Sequence, residues 1–156
     1  MKLAMSNRNT YLGSPEIHLR KFKTHHGVRQ DLGPMEFRSS WEANTARVFN
    51  LIGLQWRYEP KRFYLTDTIS YLPDFELLTQ PNKWNAKWIE VKGLWNRGDK
   101  RKLKLFMQLF PEETLHVIAG KEYRQMAKIF KPLIKNWEFS VSRRNKMAKR
   151  KKKGGC

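Results

Sequence analysis

Tyr71-Leu-Pro-Asp-Phe-Glu-Leu-Leu78 and Ala86-Lys-Trp-Ile-Glu-Val-Lys-Gly93 decide how this chain is read. Both stretches are apolar, rich in β-branched and aromatic residues, and bounded by turn formers, a pattern that predicts two strands. The seven residues between them contain Pro81-Asn82-Lys83, a turn signal. Folded about Asn82, the strands form a hairpin in which Asp74 and Glu90 face each other, with Cβ atoms about 5 Å apart. Strand alternation puts Trp88, Glu90 and Lys92 on one face and Ile89 and Val91 on the other. Two carboxylates and an ammonium are therefore expected on one patch.

Working outward, Ser39 to Ile52 predicts a helix. Ser39 is its N-cap and Glu42 falls three residues later, the capping-box spacing. Trp41, Thr45, Val48, Phe49 and Ile52 make its buried face, and Gly53 stops it. Gln55–Leu65 reads as a strand region limited by Pro60, and 66–70 as a turn. Beyond the hairpin, Asn96–Lys100 is a loop and Arg101–Phe110 a helix ended by Pro111. Its inward residues are Leu103, Phe106, Leu109 and Phe110. Leu115–Ala119 is a short buried strand. Lys121–Trp137 is an amphipathic helix with Tyr123, Met126, Ile129, Phe130 and Leu133 or Ile134 inward, kinked or divided at Pro132. Phe139–Val141 is a candidate edge strand. The order helix, three strands, helix, strand, helix makes an α/β fold, a mixed sheet flanked by helices. Residues 1–35 read as a basic N-terminal arm with a short element near Ile17–Phe22, 36–141 as the folded domain, and 142–156 as a basic tail.

A chain of 156 residues fits one domain. No apolar run approaches the roughly 20 residues of a membrane span, so no membrane partner is expected. The N-terminus lacks the apolar stretch of a secretory signal. The single cysteine, Cys156, cannot form an internal disulfide. Together these suggest a reducing, cytoplasmic setting. Net charge is +18, and the tail from Arg143 to Lys153 holds eight of those positive charges with no acid, leaving +10 on residues 1–142. A polyanion is the expected partner, nucleic acid the commonest. The basic residues singled out for phosphate contact are Arg38, Lys100, Arg101, Lys102, Lys104, Arg143, Arg144, Lys149 and Arg150.

Glu and Lys alternating on a solvated strand would be unremarkable. Three details weigh against that reading. Asp is disfavoured inside strands, yet Asp74 stands between Pro73 and Phe75. Lys92 runs into the apolar Gly93-Leu94-Trp95 rather than a polar edge. A directly opposed Asp–Glu pair is destabilising unless a cation sits between the two. Phosphodiester hydrolysis asks for this set. Mg²⁺ takes one or two carboxylates plus water and phosphate, here Asp74 and Glu90 with the Val91 carbonyl as a further ligand. Lys92 is placed to orient or deprotonate the water and to offset phosphate charge. Glu76 is a secondary acid on the same face, opposite Trp88. Glu42 has two competing roles, cap residue or third acid of the site.

Pro73-Asp74 followed by Glu90-Val91-Lys92 resembles the PD-(D/E)XK nuclease motif. With Phe37-Arg-Ser-Ser-Trp-Glu-Ala-Asn44 and Tyr58-Glu59-Pro60 before it and Trp88–Trp95 around it, the chain is similar over about residues 37–137 to phage endonucleases of the endonuclease I type, which resolve Holliday junctions. The resemblance implies a restriction-endonuclease-like fold and a metal-dependent deoxyribonuclease using Mg²⁺, with Mn²⁺ able to substitute. It favours a catalytic Glu42 beside Asp74, Glu90 and Lys92, with Glu42 joining Asp74, Glu90 and Val91 at the metal. It also implies DNA as the partner, a nicking or structure-specific cut, and the cytoplasm of a bacterial host cell if the chain is phage-encoded. The hairpin loop is longer than in that type and carries Trp84. No dimer-forming segment is visible, so a homodimer and a preference for branched DNA rest on the resemblance alone. Two other readings stand beside it: a non-catalytic nucleic-acid-binding module, and a homing or transposition-type cutter whose partner chooses the target.

Overall fold

The computed structural model describes residues 26–139. Arg143, Arg144, Lys149 and Arg150 of the tail, the segment near Ile17–Phe22, and the end of the expected strand at Phe139–Val141 lie outside the described residues.

The fold is mixed α/β, with a mixed four-stranded sheet and, among the described residues, three α-helices. Its strands are β1 (Gly27–Arg29), β2 (Gly33–Phe37), β3 (Trp56–Tyr58), β4 (Phe63–Tyr64), β5 (Ser70–Tyr71), β6 (Phe75–Leu77), β7 (Trp88–Lys92) and β8 (Leu115–Ala119). The helices are α1 (Ser40–Leu51), α2 (Asp99–Leu109) and α3 (Gly120–Phe130). The sheet runs β3-β6-β7-β8, with β3 and β6 antiparallel, β6 and β7 antiparallel, and β7 and β8 parallel. A parallel pair needs a crossover, and α2 supplies it. Two small sheets, β1-β2 and β4-β5, flank this core.

The hairpin has the expected register. Phe75 pairs with Ile89 and Glu76 with Trp88, so one step further Asp74 lies across from Glu90. Tyr71–Leu78 is nevertheless not one strand. Pro73 interrupts it, and Ser70–Tyr71 pairs with β4 instead of β7. The turn is fastened by side chains: Asn82 Nδ2 and Gln80 Nε2 both donate to the Ala86 carbonyl, at 2.8 and 3.0 Å.

Strand β7 is buried on both faces, which explains its near-continuous apolar run. Ile89 and Val91 pack with Ala43, Val48, Phe49 and Phe75 under α1, together with Tyr123 and Met126 of α3. Trp88 faces the other way, against Phe63, Tyr71, Leu103 and Phe106. Helix α1 is buried nearly all round from Ser40 to Phe49, a wider burial than its periodicity predicts, because β2 and the sheet enclose it.

Several expectations need correction. The residues just before position 36 do not belong to a loose arm. β1 pairs with β2, Leu32 is core, and Arg47 of α1 grips Asp31 at 2.6 and 3.0 Å. Gln55–Leu65 is two strands in two different sheets, divided at Glu59-Pro60. The last helix ends at Phe130 rather than Trp137, divided at Pro132 as expected, with a 3-10 turn at Lys131–Leu133. Leu109, Ile129 and Ile52 are exposed rather than inward, and of Leu133 or Ile134 it is Ile134 that packs against the core. Helical period identifies a face, but the neighbouring elements end before they cover these positions.

Candidate active site

At the end of the hairpin away from its turn, the sheet opens into a cavity of about 340 Å³ between the N-termini of α1 and α2. It is lined by Asp74, Glu90, Lys92 and Glu42, with Arg38 and Lys102 among the cations around them. Four residues singled out on the sequence, Glu42, Asp74, Glu90 and Lys92, are thus brought to one place, and Val91 forms part of the wall.

Asp74 is 3% exposed and Glu90 8%. Asp74 Oδ2 accepts the Val91 backbone N–H at 2.7 Å, a hydrogen bond that pins its carboxylate against β7. Its Oδ1 accepts from Arg38 Nη2 at 3.2 Å. Burial, then the negative charges of Glu90 and Glu42, hold the Asp74 carboxyl well above the usual range, against the pull of the Val91 N–H and Arg38. Glu90 accepts from the Tyr71 hydroxyl at 2.9 Å and from Lys92 Nζ at 3.4 Å. Burial raises its pKa despite Tyr71 and Lys92, which lower it. The chain therefore buries two acids side by side without fully offsetting their charge.

Lys92 also reaches Asp99 Oδ2 at 3.1 Å, at the start of α2. Burial works against its ammonium, but the contacts with Asp99 and Glu90 win, and its pKa is raised. Lys92 is thus held charged. This favours its expected role as an electrostatic and orienting group.

Glu42 performs the cap and lines the cavity at once. Ser39 Oγ accepts the Glu42 backbone N–H at 3.2 Å, and its hydroxyl donates to Glu42 Oε1 at 2.7 Å. Glu42 Oε2 accepts from the Arg38 backbone N–H at 3.1 Å and from the Tyr58 hydroxyl at 2.5 Å. Both carboxylate oxygens are engaged by protein donors. Among the described residues, no three His, Cys, Asp or Glu side chains come together as a ready metal-binding group. Glu42 shares the cavity with Asp74 and Glu90 and is fixed there by the cap and by Tyr58. The pair alone does fit a hard cation, which takes carboxylate oxygen and fills the rest of its shell with water. A cation would offset the burial that raises both pKa values, and at Asp74 the neighbouring negative charges as well.

Sequence reasoning missed Glu59 as a site residue. Its backbone has a positive φ of 45°, an uncommon conformation for a residue with a Cβ, and its N–H donates to the Asp74 carbonyl at 2.9 Å. Its carboxylate is ion-paired with the half-exposed Arg38 guanidinium. Burial raises its pKa, Arg38 opposes this, and Glu42 adds to it. The positive φ before Pro60 could not be read from residue order. Tyr71 was missed too. It lies three residues before Asp74 in a stretch read as plain strand, and it turns inward only because Pro73 breaks that strand.

Of the basic residues singled out for phosphate, Arg38 and Lys102 line the cavity. Lys100, Arg101 and Lys104 are exposed on α2 beside it. Arg62, not singled out, also lines it. No helix among the described residues is long and apolar enough to cross a membrane. Compared with known proteins, the chain matches no family model, no curated protein and no solved structure.

Proposed function

We propose that this protein is a Mg²⁺-dependent endonuclease that hydrolyses phosphodiester bonds in DNA, with Mn²⁺ able to substitute, on a restriction-endonuclease-like core. The observation that carries the reading is the buried pair Asp74 and Glu90, both held above the usual carboxylate range, in a cavity rimmed by Arg38, Arg62, Lys92 and Lys102. Folding alone gains nothing from two adjacent buried acids, whose desolvation and mutual repulsion cost stability. Perturbed pairs in a cleft are the mark of a working site.

Asp74 and Glu90 would hold the metal, with the Val91 carbonyl beside them. When bound, the metal acidifies a water and draws charge from a phosphate oxygen. Arg38, Arg62 and Lys102 bring the DNA backbone to the cavity. Lys92, fixed by Asp99 and Glu90, stands charged where negative charge grows on the phosphate. Tyr71 fixes the Glu90 carboxylate by its hydrogen bond. The water would give up one proton to solvent as its oxygen bonds to phosphorus, the bridging P–O bond breaks, and the leaving alkoxide takes up a proton from solvent. Glu42 locks the start of α1 and Tyr58 around the cavity, a positioning role for which its four hydrogen bonds argue.

A binding module that does not cut is the second reading. The ion pairs Arg38–Asp74 and Lys92–Glu90 favour it, since they offset part of the acidic charge without any metal. Incubating supercoiled plasmid, linear duplex, single strand, flap and four-way junction with the full chain in Mg²⁺ or in EDTA separates the two. Cutting of at least one substrate in Mg²⁺ alone is expected. A panel left wholly intact while the DNA is bound makes the protein a binding module.

A further inference from the structure

A second cavity, about 410 Å³, opens over α3, within the size range of small-ligand sites. Its apolar lining is mostly aromatic: Trp41, Tyr123, Trp137 and Phe139, with Ala127. Trp41 and Tyr123 are stacked, with ring centroids 3.8 Å apart and planes 3° from parallel, and Trp137 leans toward Tyr123 at 6.1 Å. Its rim carries Arg124, Lys128 and Lys131, all exposed. Arg124 and Lys128 lie one turn apart on α3 and Lys131 follows at the next, so the three cations line one side. Among the described residues none of them has a carboxylate partner, while Glu138, the acid in the lining, is already held by Arg29 and Arg47 at 2.8 and 2.9 Å. Lys131 sits over the Phe139 ring, 4.6 Å from its centroid. An aromatic lining under a row of exposed cations is complementary to an unpaired nucleotide: rings for the base, ammonium and guanidinium groups for the flanking phosphates.

Trp41 joins this cavity to the acid site. It immediately precedes Glu42 on α1. Its ring covers Gly93, the residue after Lys92, so closely that a Cβ there would stand 3.6 Å from it. Trp41 thus contacts Gly93 beside the acid site and stacks on Tyr123 in the lining of the aromatic cavity.

We infer that the Trp41–Tyr123–Trp137 cavity seats an unpaired base of a DNA strand whose backbone continues past Trp41 to the Asp74–Glu90 site. The inference rests on the nuclease reading and deepens it, because it makes a single-stranded stretch part of the preferred substrate.

The test uses the full chain in EDTA, which prevents cutting, and three probes of equal length: a single-stranded thymidine oligomer, an abasic oligomer with the same phosphates, and a duplex. Phosphate contacts, those of the basic tail included, act alike on the two single strands, so their difference reports the base alone. The thymidine oligomer should bind about ten-fold tighter than the abasic one, a factor typical of one base stacked on aromatic rings, and should quench tryptophan fluorescence. Trp137→Leu should bring the two affinities together. Lys128→Ala with Arg124→Ala, both exposed, should weaken both single strands alike and keep the base preference. Equal binding of thymidine and abasic oligomers by the wild type, or a preference untouched by Trp137→Leu in a folded protein, overturns the inference. A base preference without any Mg²⁺-dependent cutting would sink the nuclease reading and leave the base site standing.

Discussion

Asp74→Asn should make the metal-free protein more stable at alkaline pH, although it removes the residue on which cutting depends. Burial and the charges of Glu90 and Glu42 hold the Asp74 carboxyl well above the usual range. The folded protein therefore keeps a proton that the unfolded chain releases. Stabilisation from that proton is complete below the unfolded value of about 3.9 and is lost as pH rises through the folded one. Asparagine is neutral at every pH, so it avoids the loss. Each unit of pKa elevation is worth about 1.4 kcal/mol above the titration. Against this stands the weaker bond a neutral oxygen makes with the Val91 N–H, at 2.7 Å now, a loss of about 1 kcal/mol. The elevation outweighs that bond, so a net gain at pH 8 follows, and each kcal/mol of it raises Tm by roughly 2–4 °C for a chain of this size. At pH 4 the difference should vanish. Thermal unfolding followed by circular dichroism in EDTA, at pH 4, 6 and 8, measures it. A variant no more stable than wild type at pH 8, or one offset equally at pH 4 and 8, refutes the claim that a strained carboxylate occupies this site. Adding Mg²⁺ at a hundred times its Kd should then raise wild-type stability by about 2.7 kcal/mol and leave Asp74→Asn unmoved.

Arg47→Met should cost about 3 kcal/mol in guanidinium unfolding, the low end for a broken buried pair, because Asp31 is partly solvated while Glu138 keeps Arg29. The hydrogen bonds from Arg47 to Asp31 and from Arg29 and Arg47 to Glu138 hold both carboxyl pKa values below normal despite burial. Their stabilisation is present above about pH 4 and lost as pH falls through the lowered values, so the variant should also show a flatter acid limb in its stability profile. Glu42→Gln should lower stability by about 1–2 kcal/mol through weakened bonds with Tyr58, Ser39 and the Arg38 N–H, while leaving Mg²⁺ affinity by calorimetry within a few-fold of wild type. A loss of all Mg²⁺ binding would make Glu42 a ligand. Removing residues 143–156 takes away eight cations and should weaken DNA binding across sequences with a shallower salt slope. An unchanged slope would exclude the tail from the interface.

The central hairpin was legible because turn and alternation agree. A fold about Asn82 set Asp74 against Glu90, and the pairing of Phe75 with Ile89 has the same register. Leu115–Ala119 was legible as a short apolar run between breakers, and its bounds are those of β8, although only Ile118 in it is fully buried. The surroundings of the acids were not legible. Asp99 meets Lys92, Tyr71 meets Glu90, and Glu59 meets Arg38 across distances in sequence that no local pattern encodes. Glu42 could be read either way because its spacing satisfies the cap rule, and only the tertiary donors Tyr58 and Arg38 show that its oxygens are already taken. The strand pair β1-β2 was missed because its glycines and prolines read as punctuation, while its anchor, Arg47 on Asp31, lies a helix away.

Cleavage of supercoiled plasmid by the full-length wild type, Asp74→Asn and Glu90→Gln, in Mg²⁺ and in EDTA, with DNA binding measured on the same samples, tests the account most directly. Wild type should nick or linearise the plasmid in Mg²⁺ alone, and both variants should bind DNA as wild type does while cutting at least a hundred-fold more slowly. Cutting that survives either substitution, or that proceeds equally in EDTA, would contradict the assignment of the buried carboxylate pair as the metal-holding catalytic centre.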